Sequence, residues 1–272
     1  MVFVCPKCAS PFVKFENNSA ACENGHSYDR AREGYYNFLP PKAPHTHGDN
    51  REMLLARRAF LDTGMYLPLL EGISTLAKQY APKARVALDI GCGEGYYTNY
   101  LAKNLKGENA ALSFAAFDIS KDAVKLSAKR GADCDFAVAS AYRMPIADAS
   151  VDLAFNVFSP LALSETVRVL SPGGVFIMAI PNAEHLFELK AQIYEHPYKN
   201  APADFLLSGL EFVTSREISY KMELDTQKKL LSLFAMTPYA YRTKQSDADR
   251  LLQLNRLDVT ASFIVIVYKK PC

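Results

Sequence analysis

The stretch Leu88-Asp-Ile-Gly-Cys-Gly-Glu-Gly95 decides how this chain is read. It closes an apolar run over 86–90 that reads as a buried strand, and it leads into a helix over 96–105. Glycines at such a turn let the backbone approach a ligand closely. The spacing is not the dinucleotide fingerprint, whose third glycine comes one position later. Its companion acid is also displaced, because Asp118 stands 27 residues after Gly91, against about 20 for a nicotinamide site. A carboxylate at the end of the next strand still has a use, since it accepts hydrogen bonds from both hydroxyls of a ribose. Turn, helix and strand-end acid together predict a site for a nucleoside-like ligand.

Outward from this turn the chain alternates strand and helix. Strands are expected over 86–90, 112–119, 135–139, 151–157 and 175–180, with helices over 96–105, 121–130, 161–170 and 186–194. Repeated βα units predict a doubly wound parallel α/β sheet covered by helices on both faces. Two late strands, over 211–220 and 259–268, flank a helix over 227–235 and are expected to form a terminal, partly antiparallel pair. Before the first strand, Asp49 or Asn50 can cap a helix starting near Arg51, Gly64 stops it, and a second helix follows over 69–80. This lead-in is placed to pack over the ligand mouth. Arg57 and Arg58 are adjacent, so they splay, either toward a phosphate or as a solvated face.

The first 26 residues carry a different signature. Cys5-Pro-Lys-Cys8 and Cys22-Glu-Asn-Gly-His26 form two ligand pairs separated by a gap of thirteen residues. Tetrahedral zinc takes four such thiolate and imidazole ligands, and four protein ligands leave no position for water. Cys5, Cys8, Cys22 and His26 are therefore expected to hold one structural Zn2+ per chain, standing in for a core that so short a segment cannot build. Residues 11–15 read as a strand, 16–19 as its turn and 20–21 as the return. The proline-rich segment after Pro40 reads as a linker, with His45 and His47 a solvated pair. The expected division is a zinc-ribbon module over 1–39, linker and lead-in helices over 40–84, and a domain carrying the nucleoside-like site over 85–272.

The 272 residues are 49% hydrophobic and 22% charged, which excludes a disordered or fibrous chain. Thirty-one basic and 29 acidic side chains leave a net charge of +2, so a nucleic-acid site must be a local patch. Lys7, Lys14, Arg30 and Arg32 offer one, and Tyr28, Tyr35 and Tyr36 either stack on bases or serve as core. No apolar run is long enough to span a bilayer, and the first residues resemble no secretory leader. A cytoplasmic protein without disulfides is the expectation.

The residues also resemble a known family. Leu88–Gly95 is similar to motif I of class I S-adenosylmethionine methyltransferases. Phe117-Asp118-Ile-Ser120 resembles their ribose-binding strand end, 138–146 their adenine-side loop, and Leu170-Ser-Pro-Gly-Gly174 the turn before their fifth strand. With the cysteine-histidine pairs, Ala56-Arg-Arg-Ala-Phe-Leu-Asp62, Pro181–Lys190 and Met236-Thr-Pro238 added, the ordered set resembles the large-subunit (23S) rRNA guanine-N1 methyltransferases of RlmA type over nearly the whole chain. That resemblance implies a Rossmann-like methyltransferase sheet, methyl transfer to N1 of a guanine in a 23S rRNA hairpin, a ribbon that grips RNA, and a homodimer. It implies cofactor contacts at Asp89, Gly91, Gly93, Glu94, Gly95 and Asp118, with Tyr66 and His185 as further contacts. Asn156 and Phe158, at the end of the fourth strand, are candidates for hydrogen bonding to and stacking on the target guanine. Asn156 cannot act as a base, and no Asp or Glu stands out as one. Two other functions remain open from sequence: a methyltransferase of a small metabolite, and a non-enzymatic zinc protein that binds RNA.

Overall fold

The computed structural model describes residues 1–16, 18–40, 50–202 and 204–272. His45, His47 and Asp49 lie outside the described residues. A small antiparallel sheet comes first, made of β1 (Phe12–Glu16), β2 (Ser19–Cys22) and β3 (Ser27–Asp29). Then come β4 (Tyr35–Asn37), α1 (Arg51–Leu61), α2 (Leu67–Tyr80), β5 (Val86–Ile90), α3 (Tyr96–Glu108), β6 (Ser113–Asp118), α4 (Lys121–Ala128) and β7 (Asp135–Val138). The second half holds β8 (Val151–Val157), α5 (Leu163–Val169), β9 (Leu170–Pro181), α6 (Phe187–Ile193), β10 (Glu211–Leu224), α7 (Gln227–Met236), α8 (Tyr239–Arg242), α9 (Gln245–Ala248) and β11 (Leu257–Lys269).

The large sheet has the order β10-β11-β9-β8-β5-β6-β7-β4. Strands from β4 to β9 are parallel to their neighbours, while β11 is antiparallel to both β9 and β10. The chain steps outward from β5 through β6 to β7, then returns to start again at β8 on the other side. That reversal opens a crevice at the C-terminal ends of β5 and β8, where ligands bind in doubly wound sheets. The middles of the central strands are mostly apolar and buried, as helices on two sides require, with Asp89, Asp118 and Asn156 at or near their C-terminal ends. Asn50 caps α1 by accepting the Met53 amide, and Ser120 caps α4 by accepting the Ala123 amide. Gly64, at φ +77°, turns the chain out of α1.

The expected pair of late strands is present but longer. β10 and β11 pair over their whole length, from Glu211 opposite Lys269 to Leu224 opposite Leu257. The boundary expected at residue 39 falls just after β4. β4 joins the large sheet as its edge strand, parallel to β7. Phe3, Cys5, Phe12, Ala20, Cys22, Tyr36 and Phe38 share one core with Leu88, Ile90 and Phe117. The ring of Phe38 stacks on Phe12 and Tyr36 and meets Phe3 and Tyr28 edge-on. Tyr35 and Tyr36 are thus core residues, which decides the alternative that sequence left open. The lead-in helices are part of the main body too, with α1 against α7 and Phe60, Leu69 and Ile73 fully buried. Among the described residues no helix is long and apolar enough to cross a membrane.

A shared core predicts shared unfolding. In a cobalt-substituted protein, loss of the thiolate-metal absorption and loss of far-ultraviolet dichroism should coincide in denaturant. Phe38→Ala should lower that single transition by about 3–5 kcal/mol. Separate midpoints would show two independent units.

Candidate active site and metal centre

Gly91, Gly93 and Gly95 hold left-handed φ values of +80°, +54° and +89°. At two of them packing also demands glycine: a Cβ on Gly91 would lie 2.5 Å from Ser159, and one on Gly95 would lie 2.3 Å from Ser127 Oγ. A Cβ on Gly93 would meet only Arg57 Nη1, at 3.8 Å, so this glycine borders open space. Asp118, at the end of β6, accepts the Gly93 amide on Oδ2 and the Ser120 amide on Oδ1, both at 2.9 Å. Asp89 is buried and accepts the Thr98 hydroxyl at 2.6 Å, which fastens α3 to β5. Burial raises its carboxyl to about 6, opposed by that hydrogen bond and aided by the charge of Asp118.

Glu94 is only 1% exposed. Its Oε2 accepts Arg58 Nε at 2.9 Å and Arg130 Nε at 2.8 Å. Arg58 also donates to the Leu126 carbonyl at 2.9 Å, and Arg130 pairs with Asp62 at 2.9 Å. Arg58, a quarter exposed, secures the glycine turn to α1 and α4, while Arg57 donates to the Met236 carbonyl of α7 at 3.3 Å. Sequence reading missed this clamp. Its one signal was an acid inside a glycine turn, which needs cations if it is buried. Glu94 Oε1 is buried without a hydrogen-bond partner.

Tyr66 and His185 meet in the core, 119 residues apart in sequence. His185 Nδ1 accepts the Ser262 amide at 3.2 Å, which leaves the proton on Nε2, 3.4 Å from Tyr66 Oη. Both rings pack on Phe263, which also contacts Phe158. Burial, with the charge of Lys190 assisting, lowers the imidazole to about 3. Lys190 is itself buried and donates to the Tyr198 carbonyl and Asn200 Oδ1 at 3.1 and 2.7 Å.

Asn156 lies near the end of β8. It is 1% exposed, and its Nδ2 donates to Ser159 Oγ at 2.8 Å and to the Pro160 carbonyl at 3.4 Å. Ser159 Oγ donates in turn to the Ile90 carbonyl at 2.8 Å. Through its Nδ2, Asn156 braces the end of β8 against the end of β5. Phe158 differs: it is 39% exposed, has φ +57°, and touches Tyr97 and Phe263. A non-glycine residue in that region stores about 1–3 kcal/mol of strain, a common mark of functional turns.

In the ribbon, the ligand atoms of Cys5, Cys8, Cys22 and His26 lie within 4.8 Å of one another. Cys8 Sγ is 3.7 Å from Cys22 Sγ, and His26 Nδ1 is 3.5 Å from both Cys5 and Cys22 Sγ. Zinc–sulfur bonds of about 2.3 Å at tetrahedral angles call for sulfurs about 3.8 Å apart, so the donor set fits zinc. Hydrogen bonds from Asn24 and Ser10 lower the Cys8 thiol to about 5 and favour the thiolate that a metal takes. The crevice likewise fits S-adenosylmethionine through the side-chain-free cradle at Gly93, the carboxylate of Asp118 and the unpartnered acceptor on Glu94.

Residues 82–252 match the family described as "Methyltransferase domain", and residues 3–46 match "RlmA, N-terminal", a zinc ribbon. A protein of Micromonospora griseorubida, provisionally named 23S rRNA (guanine-N(1)-)-methyltransferase, is 33% identical over 88% of this chain and 86% of its own. The 23S rRNA (guanine(748)-N(1))-methyltransferase of Streptomyces fradiae is 35% identical over 68% of this chain and 65% of its own. YxjB of Bacillus subtilis (strain 168), provisionally named like the first, is 29% identical over 99% and 97%. A solved structure from Bacillus halodurans C-125, provisionally titled a methyltransferase, gives a TM-score of 0.52 at 16% identity, covering 74% of this chain and 99% of its own, a likeness of fold.

His185 gives a pH test. Its folded pKa, about 3, lies below the ordinary 6.5, so below pH 6.5 the unfolded chain takes up a proton that the folded chain refuses. Stability therefore falls as pH drops from 6.5 toward 3, whereas Asp89, raised to about 6, acts in the opposite sense between 6 and 3.8. Between pH 7 and pH 4.5, urea unfolding of the wild type should lose about 2–3 kcal/mol more than that of His185→Asn. Parallel pH profiles would contradict the buried neutral imidazole.

Proposed function

Because this chain belongs to the family of 23S rRNA (guanine-N1)-methyltransferases with an RlmA-type zinc ribbon, we propose that it methylates N1 of one guanine in a 23S rRNA hairpin, using S-adenosylmethionine. The observation that carries this reading is the union, around one shared core, of a zinc-ligand cluster and a glycine turn at the point where the large sheet reverses. Bound S-adenosylmethionine supplies a methyl group already activated on a sulfonium, so the protein needs no nucleophile of its own. Its work is to align that methyl with the acceptor nitrogen.

The turn Asp89–Gly95 and Asp118 would hold the donor, Asp118 taking its ribose hydroxyls and Glu94 lying beneath the turn. Tyr66 and His185 act from beneath, keeping Phe263 packed under Phe158. Phe158 stacks on the target guanine and shields the methyl from water, and Asn156 serves this step by bracing the turn that carries it. Asp89 and Glu94 are engaged by Thr98 and by two arginines.

The ribbon supplies the grip on RNA. Lys7, Lys14, Arg30 and Arg32 are exposed, and the β1 hairpin presents Phe15 at 54% exposure, an aromatic surface for an unpaired base. The family resemblance further implies a homodimer, and an rRNA substrate implies work in the cytoplasm. A metabolite methyltransferase would have no use for this surface. Deleting residues 1–48 is an unsuitable test of that alternative, because it would strip β4 from the sheet and uncover the shared core.

Incubation with unmodified 23S rRNA and S-adenosylmethionine should produce one new reverse-transcription stop, since N1-methylguanine blocks the pairing edge. Phe158→Ala should slow single-turnover methylation by about 10–100-fold, the worth of one base stack. Asp118→Asn should weaken S-adenosylhomocysteine by about 10–100-fold, the worth of hydrogen bonds to a charged group. Methylation of a free metabolite with none of rRNA, or unchanged binding by Asp118→Asn, would contradict the proposal.

A further inference from the structure

The metal-binding knuckle touches more than its own hairpin. The Val4 amide donates to the Pro145 carbonyl at 2.9 Å, and Phe3 forms an antiparallel bridge with Ile146. Arg143 Nη2 donates to the Pro6 carbonyl, inside the Cys5–Cys8 turn, at 3.4 Å. The same segment is held from its other side by α5. Arg168 donates to the Met144 and Ile146 carbonyls at 3.0 and 2.8 Å, and Glu165 accepts the Met144 amide at 2.6 Å. Met144 and Ile146 are buried, in the same core as Phe3 and Cys5.

This segment leaves the C-terminal end of β7, where Val138 pairs with Asp118 and the Ala139 amide donates to the Asp118 carbonyl at 3.0 Å. A nucleoside with its ribose on Asp118 and its sulfonium at the β5 turn must extend its base toward the next strand, about 4.8 Å further on. That strand is β7, so the base lies against the segment that follows it.

We propose that the N-terminal strand and the Cys5–Cys8 knuckle position the adenine-side wall of the cofactor crevice, so that zinc occupancy and cofactor affinity are energetically coupled. The inference rests on the cofactor reading of Gly91–Gly95 and Asp118. The physical link is short. Zinc fixes Cys5 and Cys8, the Cys5 amide and carbonyl close the turn onto Ser10 and Ala9, and Val4 and Pro6 flank Cys5 and make the wall contacts. Without the metal that turn loosens, and three contacts on the wall lose their fixed partner. Coupling between two sites is reciprocal, so the cofactor tightens zinc by the factor by which zinc tightens the cofactor.

The test uses full-length, zinc-loaded protein with S-adenosylhomocysteine as probe. Zinc affinity is measured by competition with a chromophoric chelator, with and without saturating probe, and probe affinity by calorimetry. Wild type should bind zinc about 5–10-fold more tightly with the probe present. Arg143→Ala and Val4→Pro should each weaken the probe by about 3–5-fold and reduce that coupling factor, with Arg143→Lys restoring part of it. A coupling factor of one in wild type overturns the proposal. So does a factor unchanged in Arg143→Ala and Val4→Pro, because general stabilisation by the ligand would survive both substitutions. No probe binding by wild type overturns the cofactor reading and the coupling together, whereas binding without coupling overturns the coupling alone.

Discussion

Glu94 is a buried carboxylate in the middle of a turn that has almost no side chains of its own. Two arginines, one from α1 and one from the loop after α4, converge on one of its oxygens. Removing one partner from such a cluster typically costs about 3–5 kcal/mol, because the other charges are left unpaired in a dry place. Through Arg58 the clamp ties the turn to α1, and through Arg130 and Asp62 it ties the loop after α4 to the end of α1. Ser159 and Ser127 press on the same turn from the ends of β8 and α4, where only glycine leaves room. Five residues thus hold a fixed shape at the one place where the sheet reverses direction.

The zinc ribbon extends the same economy of side chains to the opposite edge. Its hairpins are too small to bury a core, so the metal cluster and a set of aromatic rings share the task. The rings belong to both parts of the chain. A ribbon seated in this way stands beside the glycine turn, which suits a substrate gripped at one point and modified at another.

Much of this was legible in the chain. The βα alternation, the glycine turn, Asp118 at the end of its strand and the two cysteine-histidine pairs follow from local patterns with a direct physical meaning. What escaped depends on distant partners. Tyr35-Tyr36-Asn37 is too short to show a strand period, so its place at the sheet edge was hidden, and with it the joining of ribbon and main body. Arg58 and Arg130 look like solvated helix charges until the burial of Glu94 is known. Asn156 has the chemistry of a base-reading amide, and only its burial and its bonds to Ser159 and Pro160 show that it is a brace. Phe263 comes from the last strand and reaches Phe158 by tertiary packing alone.

All of the proposed chemistry needs an adenosyl ligand lying across the ends of β5 and β6. A crystal structure of the zinc-loaded protein with S-adenosylhomocysteine tests this most directly. The account predicts ribose hydroxyls within hydrogen-bonding distance of the Asp118 carboxylate, the sulfur beside the Gly91–Gly95 turn and the base against the segment after β7. Ligand density elsewhere on the molecule, or a ribose with no contact to Asp118, would contradict it.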